Sequence, residues 1–265
     1  MAEFETLTLD RVGDVLCVTI AHPTSELNAV DERLHSDLTA LFAMLRREDQ
    51  ARAVVLTAAG DESFSVGMDL KQLMSAAPDR GGFEVVLDQR LRVLSLIEHL
   101  DKPVIATMFG YCLGGGLELP LACHFRLGAT DGARIGLPEL DLGTVPAWGG
   151  TARLTRTVGR AHALDMILRS KKIDGPTALS IGLVHELHPV ADLKTRAIEL
   201  AEELAAQPPI AVAGVLRSVV GAEHLPLDDA LRVERDAVRR CSGSADQVEG
   251  MTAFLEKRRP RFEGR

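Results

Sequence analysis

Two glutamates stand beside glycines at a spacing that suits proton chemistry. Glu118 closes the segment Gly114-Gly115-Gly116-Leu117-Glu118, and Glu139 follows twenty-one residues later in Gly136-Leu137-Pro138-Glu139. An apolar run, Val104 to Phe109, feeds the glycines like a strand, and Leu117 to Ala122 reads as the start of a buried helix. Backbone N–H groups are bared where a strand turns into a helix, and such groups can hold an oxyanion. Two carboxylates next to those donors can divide the tasks of moving a proton and activating a water, which points to carbonyl chemistry.

The glycines admit two readings. Without side chains they let a substrate approach the main chain, and they adopt backbone angles closed to other residues. They can equally serve only to pack two elements closely. Pro120 adds a constraint, because proline is tolerated in the first turn of a helix and not beyond it. The expectation is a helix starting between Gly116 and Leu119, with the Gly115 N–H left free to face a ligand.

The elements that must position these residues alternate between short strands and longer helices. Val15 to Ile20 and Arg52 to Thr57 read as strands, and between them Leu34, Leu38, Leu41, Phe42 and Leu45 recur at helical spacing behind an Asp31 cap. Phe83 to Leu100 is a further amphipathic helix, stopped by Asp101-Lys102-Pro103; Phe125 to Ala129, Ala133 to Gly136 and Leu183 to His188 read as strands. That order predicts an α/β core. Beyond Pro189 the pattern is helical alone, over Ala191 to Ala206, Ile210 to Val220, Leu227 to Arg240 and Ala245 to Arg258. The division expected is a core over 1–190 and a helical region over 191–265, whose apolar stripes must cover the core or a neighbouring subunit.

Composition narrows the function classes. With 265 residues, 46% of them hydrophobic, the chain can bury a sizeable core. A net charge of -8 argues against general nucleic-acid binding, which needs a basic surface to neutralise phosphates. Cys17, Cys112, Cys123 and Cys241 form no C-x-x-C pair and read as reduced thiols; His185 and His188 lack metal-ligand spacing, so no metal is expected. Serine-elbow, P-loop and dinucleotide fingerprints do not occur in the sequence. The acidic opening, Met1 to Asp10, resembles neither a signal peptide nor a presequence, and no apolar run reaches the length of a membrane span, so a cytoplasmic protein without membrane contact is expected.

Four segments, in their order and spacing, resemble the enoyl-CoA hydratase/isomerase (crotonase) superfamily over nearly the whole chain, and most closely its hydratases. They are Asn28-Ala29; Phe64 to Lys71; Gly110 to Cys123; and Gly136 to Glu139 running on through Leu142-Gly143-Thr144-Val145-Pro146 to Gly149-Gly150-Thr151. The ending from Glu249-Gly250-Met251 to Lys257 is similar too. The resemblance implies a crotonase-like spiral of ββα units with a C-terminal helical trimerisation region, assembled as a homotrimer or homohexamer. It implies an acyl-CoA thioester substrate and no cofactor beyond the CoA that the substrate carries.

Residue by residue, the resemblance gives the backbone N–H groups of Met68 and Gly115 the thioester oxygen to hold. Glu118 becomes the base that activates water toward Cβ of a trans-2-enoyl thioester, and Glu139 the donor of a proton to Cα. The N–H of Ala147 helps to hold the water, and Lys71 and Lys257 are partners for the CoA phosphates. The chain also departs from the pattern. Ala147-Trp148 replaces the usual Gly-Ala, so that Trp148 either narrows the acyl pocket or fills the core. His124 replaces an aspartate as a structural substitution, and Ser25-Glu26 replaces a basic residue that approaches CoA. The activity implied is hydration of a 2-enoyl-CoA. Enoyl-CoA isomerisation, hydration of a specialised cyclic or secondary-metabolite thioester, and a non-catalytic binding protein are the alternatives.

Overall fold

The computed structural model describes residues 4–48, 50–76 and 80–265. The chain opens with an antiparallel pair, β1 (Leu7–Val12) and β2 (Val15–Ile20). Helix α1 (Glu32–Leu45) begins as its cap predicts: an Asp31 carboxylate oxygen accepts the Leu34 N–H at 2.9 Å, and the Leu34, Leu38, Leu41, Phe42, Leu45 stripe is buried. There follow β3 (Ala53–Ala58), β4 (Ser63–Ser65), α2 (Leu70–Ala76), α3 (Arg80–Glu98), β5 (Val104–Met108), β6 (Tyr111–Leu113), α4 (Gly115–Leu121), β7 (Phe125–Ala129) and β8 (Arg134–Gly136). A single 3-10 turn, Glu139–Leu142, leads to α5 (Gly150–Leu168), α6 (Gly175–Ser180), β9 (Glu186–His188) and the closing helices α7 (Val190–Ala205), α8 (Pro209–Ala222), α9 (Leu227–Cys241) and α10 (Ala245–Glu256).

The strands divide between two sheets. A six-stranded sheet runs β1-β2-β3-β5-β7-β9, parallel after its first pair, and a three-stranded parallel sheet runs β4-β6-β8. Three successive units thus give their first strand to the large sheet and their second to the small one: β3 then β4, β5 then β6, β7 then β8. This is the spiral of ββα units. Every residue of β2, β3 and β5 is buried, which is why these strands read as unbroken apolar runs without alternation.

The small sheet was not legible in the sequence, except for β8. Strands β4 and β6 have three residues each, too few to show a period. Helix α5 also escaped notice, because Gly159 (φ +78, ψ 159) breaks it midway and interrupts its apolar stripe. Helix α7 parts company with the helical tail and lies against the large sheet, burying Leu193, Ala197, Ala201 and Ala205. By contrast, α8 and α9 pack on each other, and α9 buries no residue in the described chain. Among the described residues no single helix is long and apolar enough to cross a membrane.

Candidate active site

Two backbone segments lie back to back at the ends of β4 and β6. Gly67 (φ +82) sits so close to the turn after β6 that a Cβ there would be 2.7 Å from both the Gly115 nitrogen and the Leu113 carbonyl oxygen. On the opposite side, a Cβ at Gly116 would fall 2.2 Å from the Ser65 carbonyl oxygen. Glycine is required at both positions by this approach, which sets the backbone leading into Met68 against that of Gly115, and both residues line the same cavity. Neither N–H has a protein acceptor among the described residues.

The Ser65–Met68 segment is held by side chains that the sequence reading did not single out for this purpose. Ser65 Oγ donates to the Asn28 carbonyl at 2.7 Å and accepts the Gly67 N–H at 3.1 Å. Asn28, buried and at φ +52, donates its amide to the Ser63 carbonyl, while Val30 N–H donates to the Gly67 carbonyl. Asparagine tolerates this left-handed conformation better than other non-glycine residues. The Asn28-Ala29 motif therefore shapes the loop that carries Met68.

The approach to the glycines corrects two expectations. The run from Val104 feeds the large sheet and stops at Met108; a bend at Gly110 (φ +51) then starts β6, in the other sheet, and it is β6 that reaches Gly114. Helix α4 begins at Gly115, one residue before the expected window, so Pro120 falls in its second turn. A proline there leaves the Gly116 carbonyl without its helical donor. The Cys112 thiol, which donates to that carbonyl at 3.3 Å, takes the missing place.

Glu118 points from α4 toward the start of α5. Its Oε1 accepts the Trp148 N–H at 2.8 Å and the Gly150 N–H at 2.6 Å, and a Cβ at Gly150 would lie 2.7 Å from that oxygen. The residue is 2% exposed. Burial pushes its pKa up to about 7, and the nearby Glu139 charge adds to the rise against the two amide donors and Arg153, which lower it. A carboxyl poised near neutrality is suited to general acid–base work.

Glu139 arrives from the other side, at the head of the turn after β8. Its Oε1 lies 2.9 Å from where a Gly114 side chain would begin, which with φ +55 fixes glycine at that position. Its Oε2 is buried without a hydrogen-bond partner among the described residues, and burial raises its pKa as well. Neither glutamate takes part in an ion pair among those residues. Both carboxylates line a single cavity of about 320 Å³, with Gly114, Gly115 and Met68 on its wall and apolar surface from Val66, Leu70, Leu113 and Val145.

Trp148 resolves into both of its readings. The residue is only 4% exposed, and its indole lines the cavity with its six-membered edge against Gly115, where a Cβ would be 2.0 Å from the ring. Its carbonyl accepts from Arg153 Nη1 at 3.0 Å, and Arg153 is clamped by Glu98 through two bonds of 3.0 and 2.7 Å. Ala147 lines the cavity and is exposed. Lys71 and Lys257 do not line it: Lys71 is exposed next to the lining residue Leu70, and Lys257 is the left-handed cap of α10. The lysine that does reach the cavity wall is Lys172, 4.0 Å from Asp141, which no motif signalled. His124 is structural: burial lowers its pKa to about 4, and the neutral ring accepts the Val104 N–H through Nδ1 and faces the Glu98 carbonyl through Nε2. Ser25 Oγ accepts the Ala29 N–H, and Glu26 is exposed.

Residues 10–265 match the profile of the family described as Enoyl-CoA hydratase/isomerase. The chain belongs to that family. It is 34% identical over 257 residues to a short-chain-enoyl-CoA hydratase of Clostridium acetobutylicum, covering 97% of each chain. It is 35% identical over 270 residues to a carnitinyl-CoA dehydratase of Escherichia coli, covering 98% of this chain and 99% of that one. Among solved structures, an enoyl-CoA hydratase from Geobacillus kaustophilus superposes with a TM-score of 0.94 at 30% identity, over 100% of this chain and 98% of the other. One from Bacillus anthracis gives 0.92 at 32% identity, over 98% and 100%. The crotonase-like fold expected from the sequence is the fold observed.

Proposed function

We propose that this member of the enoyl-CoA hydratase/isomerase family is an enoyl-CoA hydratase, adding water reversibly and with syn stereochemistry to a trans-2-enoyl-CoA to give a 3-hydroxyacyl-CoA. The observation that carries this reading is the convergence of two carboxyl groups of raised pKa, Glu118 and Glu139, on one cavity beside the unpaired N–H groups of Met68 and Gly115.

In the reaction, the thioester oxygen accepts from both amides as its charge grows. Loss of one such donor costs about 3 kcal/mol of barrier. The Glu118 carboxylate removes a proton from water, the water oxygen bonds to Cβ, and the π electrons pass into the enolate. Glu139 in its protonated form then delivers a proton to Cα, and the reverse reaction exchanges these duties. The pair titrates as a unit, so one shared proton serves both directions. The pinned Oε1 of Glu118 leaves Oε2 for the water, and the unpartnered Oε2 of Glu139 is the oxygen free to carry the proton.

Isomerisation of a 3-enoyl-CoA needs only one proton-shuttling carboxylate, so the presence of two favours hydration. Lys71 and Lys257 belong to the same reading as partners for the CoA phosphates, as does a cytoplasmic location. A homotrimer or homohexamer belongs to it too, supported by the exposed apolar side chains Val215 and Val219 of α8, Val238 of α9, and Phe254 and Leu255 of α10. Loss of the conjugated enoyl absorbance of crotonyl-CoA tests the reaction, with a 3-enoyl-CoA run in parallel. Protein that converts the 3-enoyl thioester and never hydrates crotonyl-CoA or a longer 2-enoyl thioester is no hydratase.

A further inference from the structure

Glu98, the last residue of α3, and Arg153, near the start of α5, form an ion pair closed by two bonds of 3.0 and 2.7 Å, with each side chain 14% exposed. The same guanidinium donates through Nη1 to the Trp148 carbonyl at 3.0 Å. That carbonyl belongs to the peptide unit standing between the two whose N–H groups, those of Trp148 and Gly150, are bonded to Glu118 Oε1. We propose that Arg153 and Glu98 are positioning residues for Glu118: their ion pair holds the turn that aims two amides at the carboxylate and sets, by its charges, the pH range in which hydration proceeds. The inference rests on the hydratase reading of the neighbouring cavity.

Neither residue lines the cavity that holds the two glutamates; both line a separate one of about 270 Å³ bounded by Val215 and Val219 of α8. A buried ion pair adds little net stability over apolar side chains of the same volume, because both charges lose their hydration. This one is a two-bond fork, which fixes direction as well as charge. The turn needs such a restraint. Gly149 lies at φ +93, and Arg153 Nη1 sits 2.2 Å from where a Cβ would be, so glycine makes room for the clamp while its own backbone freedom holds nothing in place. The two charges act on Glu118 in opposite senses. Burial raises the Glu118 pKa and the Arg153 charge pulls it back. Glu98 is also desolvated, but its bonds to Arg153 hold its carboxyl below the ordinary range, so it stays ionised and offsets that pull. Glu118 further faces Glu139, with Asp141 and Lys172 lining the same cavity and Arg90 behind the Trp148 ring at 5.6 Å. Around the ion pair stand His124, neutral with a pKa of about 4, Arg126, which donates to backbone carbonyls, Glu223, and the exposed His99 and His224. Among the described residues none of these is ion-paired to Glu98 or Arg153.

The test compares the full-length wild type with Arg153→Met, Arg153→Lys and Glu98→Gln. The pH profile of crotonyl-CoA hydration is measured for each, and the titration of the Glu118 carboxyl is read without substrate by infrared difference spectroscopy against Glu118→Gln. The two halves of the pair are expected to move the midpoint in opposite directions: upward in Arg153→Met, which removes the cation, and downward in Glu98→Gln, which removes the anion, each by about one pH unit. Arg153→Lys keeps the charge, and with it the midpoint, but loses the fork. In both Arg153 variants kcat falls by about tenfold or more while KM changes less, as expected for a group that orients the acid without touching substrate. A role in stability alone lowers the melting temperature of all three variants and leaves the midpoints in place. That result, midpoints that move the same way in Arg153→Met and Glu98→Gln, or an undiminished kcat in Arg153→Lys overturns the proposal. Where Arg153→Met does not fold, Glu98→Gln decides the sign: a midpoint at or above that of the wild type refutes it. Wild-type protein that hydrates no thioester, with infrared midpoints moving as stated, sinks the hydratase reading and leaves the coupling of this pair to Glu118 standing.

Discussion

Glu118→Gln is expected to make the protein more stable at alkaline pH while removing its activity. The carboxyl has a pKa of about 7 in the folded chain against 4.5 for an ordinary glutamate, so the native state holds its proton more tightly than the unfolded state does. Below pH 4.5 both states are protonated and the group is neutral in its effect. As pH rises from there the unfolded chain ionises first and stability falls, until above pH 7 both states are ionised and the full deficit is present. A shift of about 2.5 units corresponds to about 3 kcal/mol at pH 8.5, and to less than about 1 kcal/mol at pH 5. Glutamine keeps an oxygen for the Trp148 and Gly150 N–H groups and carries no charge. At about 2 °C per kcal/mol for a chain of this size, its melting advantage over the wild type opens from about 2 °C at pH 5 to about 6 °C at pH 8.5. Hydration of crotonyl-CoA falls by about a thousandfold, the range for loss of a general base. Melting curves and rates at the two pH values check both halves. An advantage that is the same at pH 5 and pH 8.5, or a variant that melts lower at pH 8.5, would falsify the claim that Glu118 is a strained, buried acid.

Four further outcomes follow from the geometry. The rate of hydration falls as pH rises through about 7, where the pair loses the one proton it shares, and in Glu139→Gln the titration of the Glu118 carboxyl, followed by infrared difference spectroscopy, moves to lower pH because the removed charge had been raising its pKa; a midpoint that moves upward contradicts the pairing. Gly115→Ala drives a methyl into the Trp148 ring, costing about 1–3 kcal/mol of stability, and Trp148→Ala in the same chain recovers part of it; strictly additive effects in denaturant melts would show that the two residues do not touch. Cys112→Ala leaves the Gly116 carbonyl without a donor and lowers stability by about 1 kcal/mol, whereas Cys112→Ser, which can still donate, loses less. Replacing Phe254 and Leu255 together with aspartate, where the side chains are 83% and 80% exposed residues of an apolar patch, reduces the mass measured by light scattering to that of a smaller assembly; an unchanged mass excludes this face from subunit contact.

The sequence by itself determined most of the long elements, α5 excepted, and the two acids. The apolar runs of β2, β3 and β5 and the stripe of α1 are local patterns, set by whether a strand is covered on both faces or a helix on one, and they can be read in a window of a dozen residues. The Glu118 and Glu139 segments could be picked out because glycine beside carboxylate is unusual enough to ask for a reason. Their meeting could not be read there. It depends on β6 crossing into a small sheet through Gly110, on Gly67 and Gly116 letting two backbones touch, and on a cysteine replacing the donor that Pro120 lacks. These are contacts between residues far apart in the chain, where each partner is ordinary alone. The same holds for the raised pKa of Glu118, which depends on what buries the residue and which no local pattern encodes.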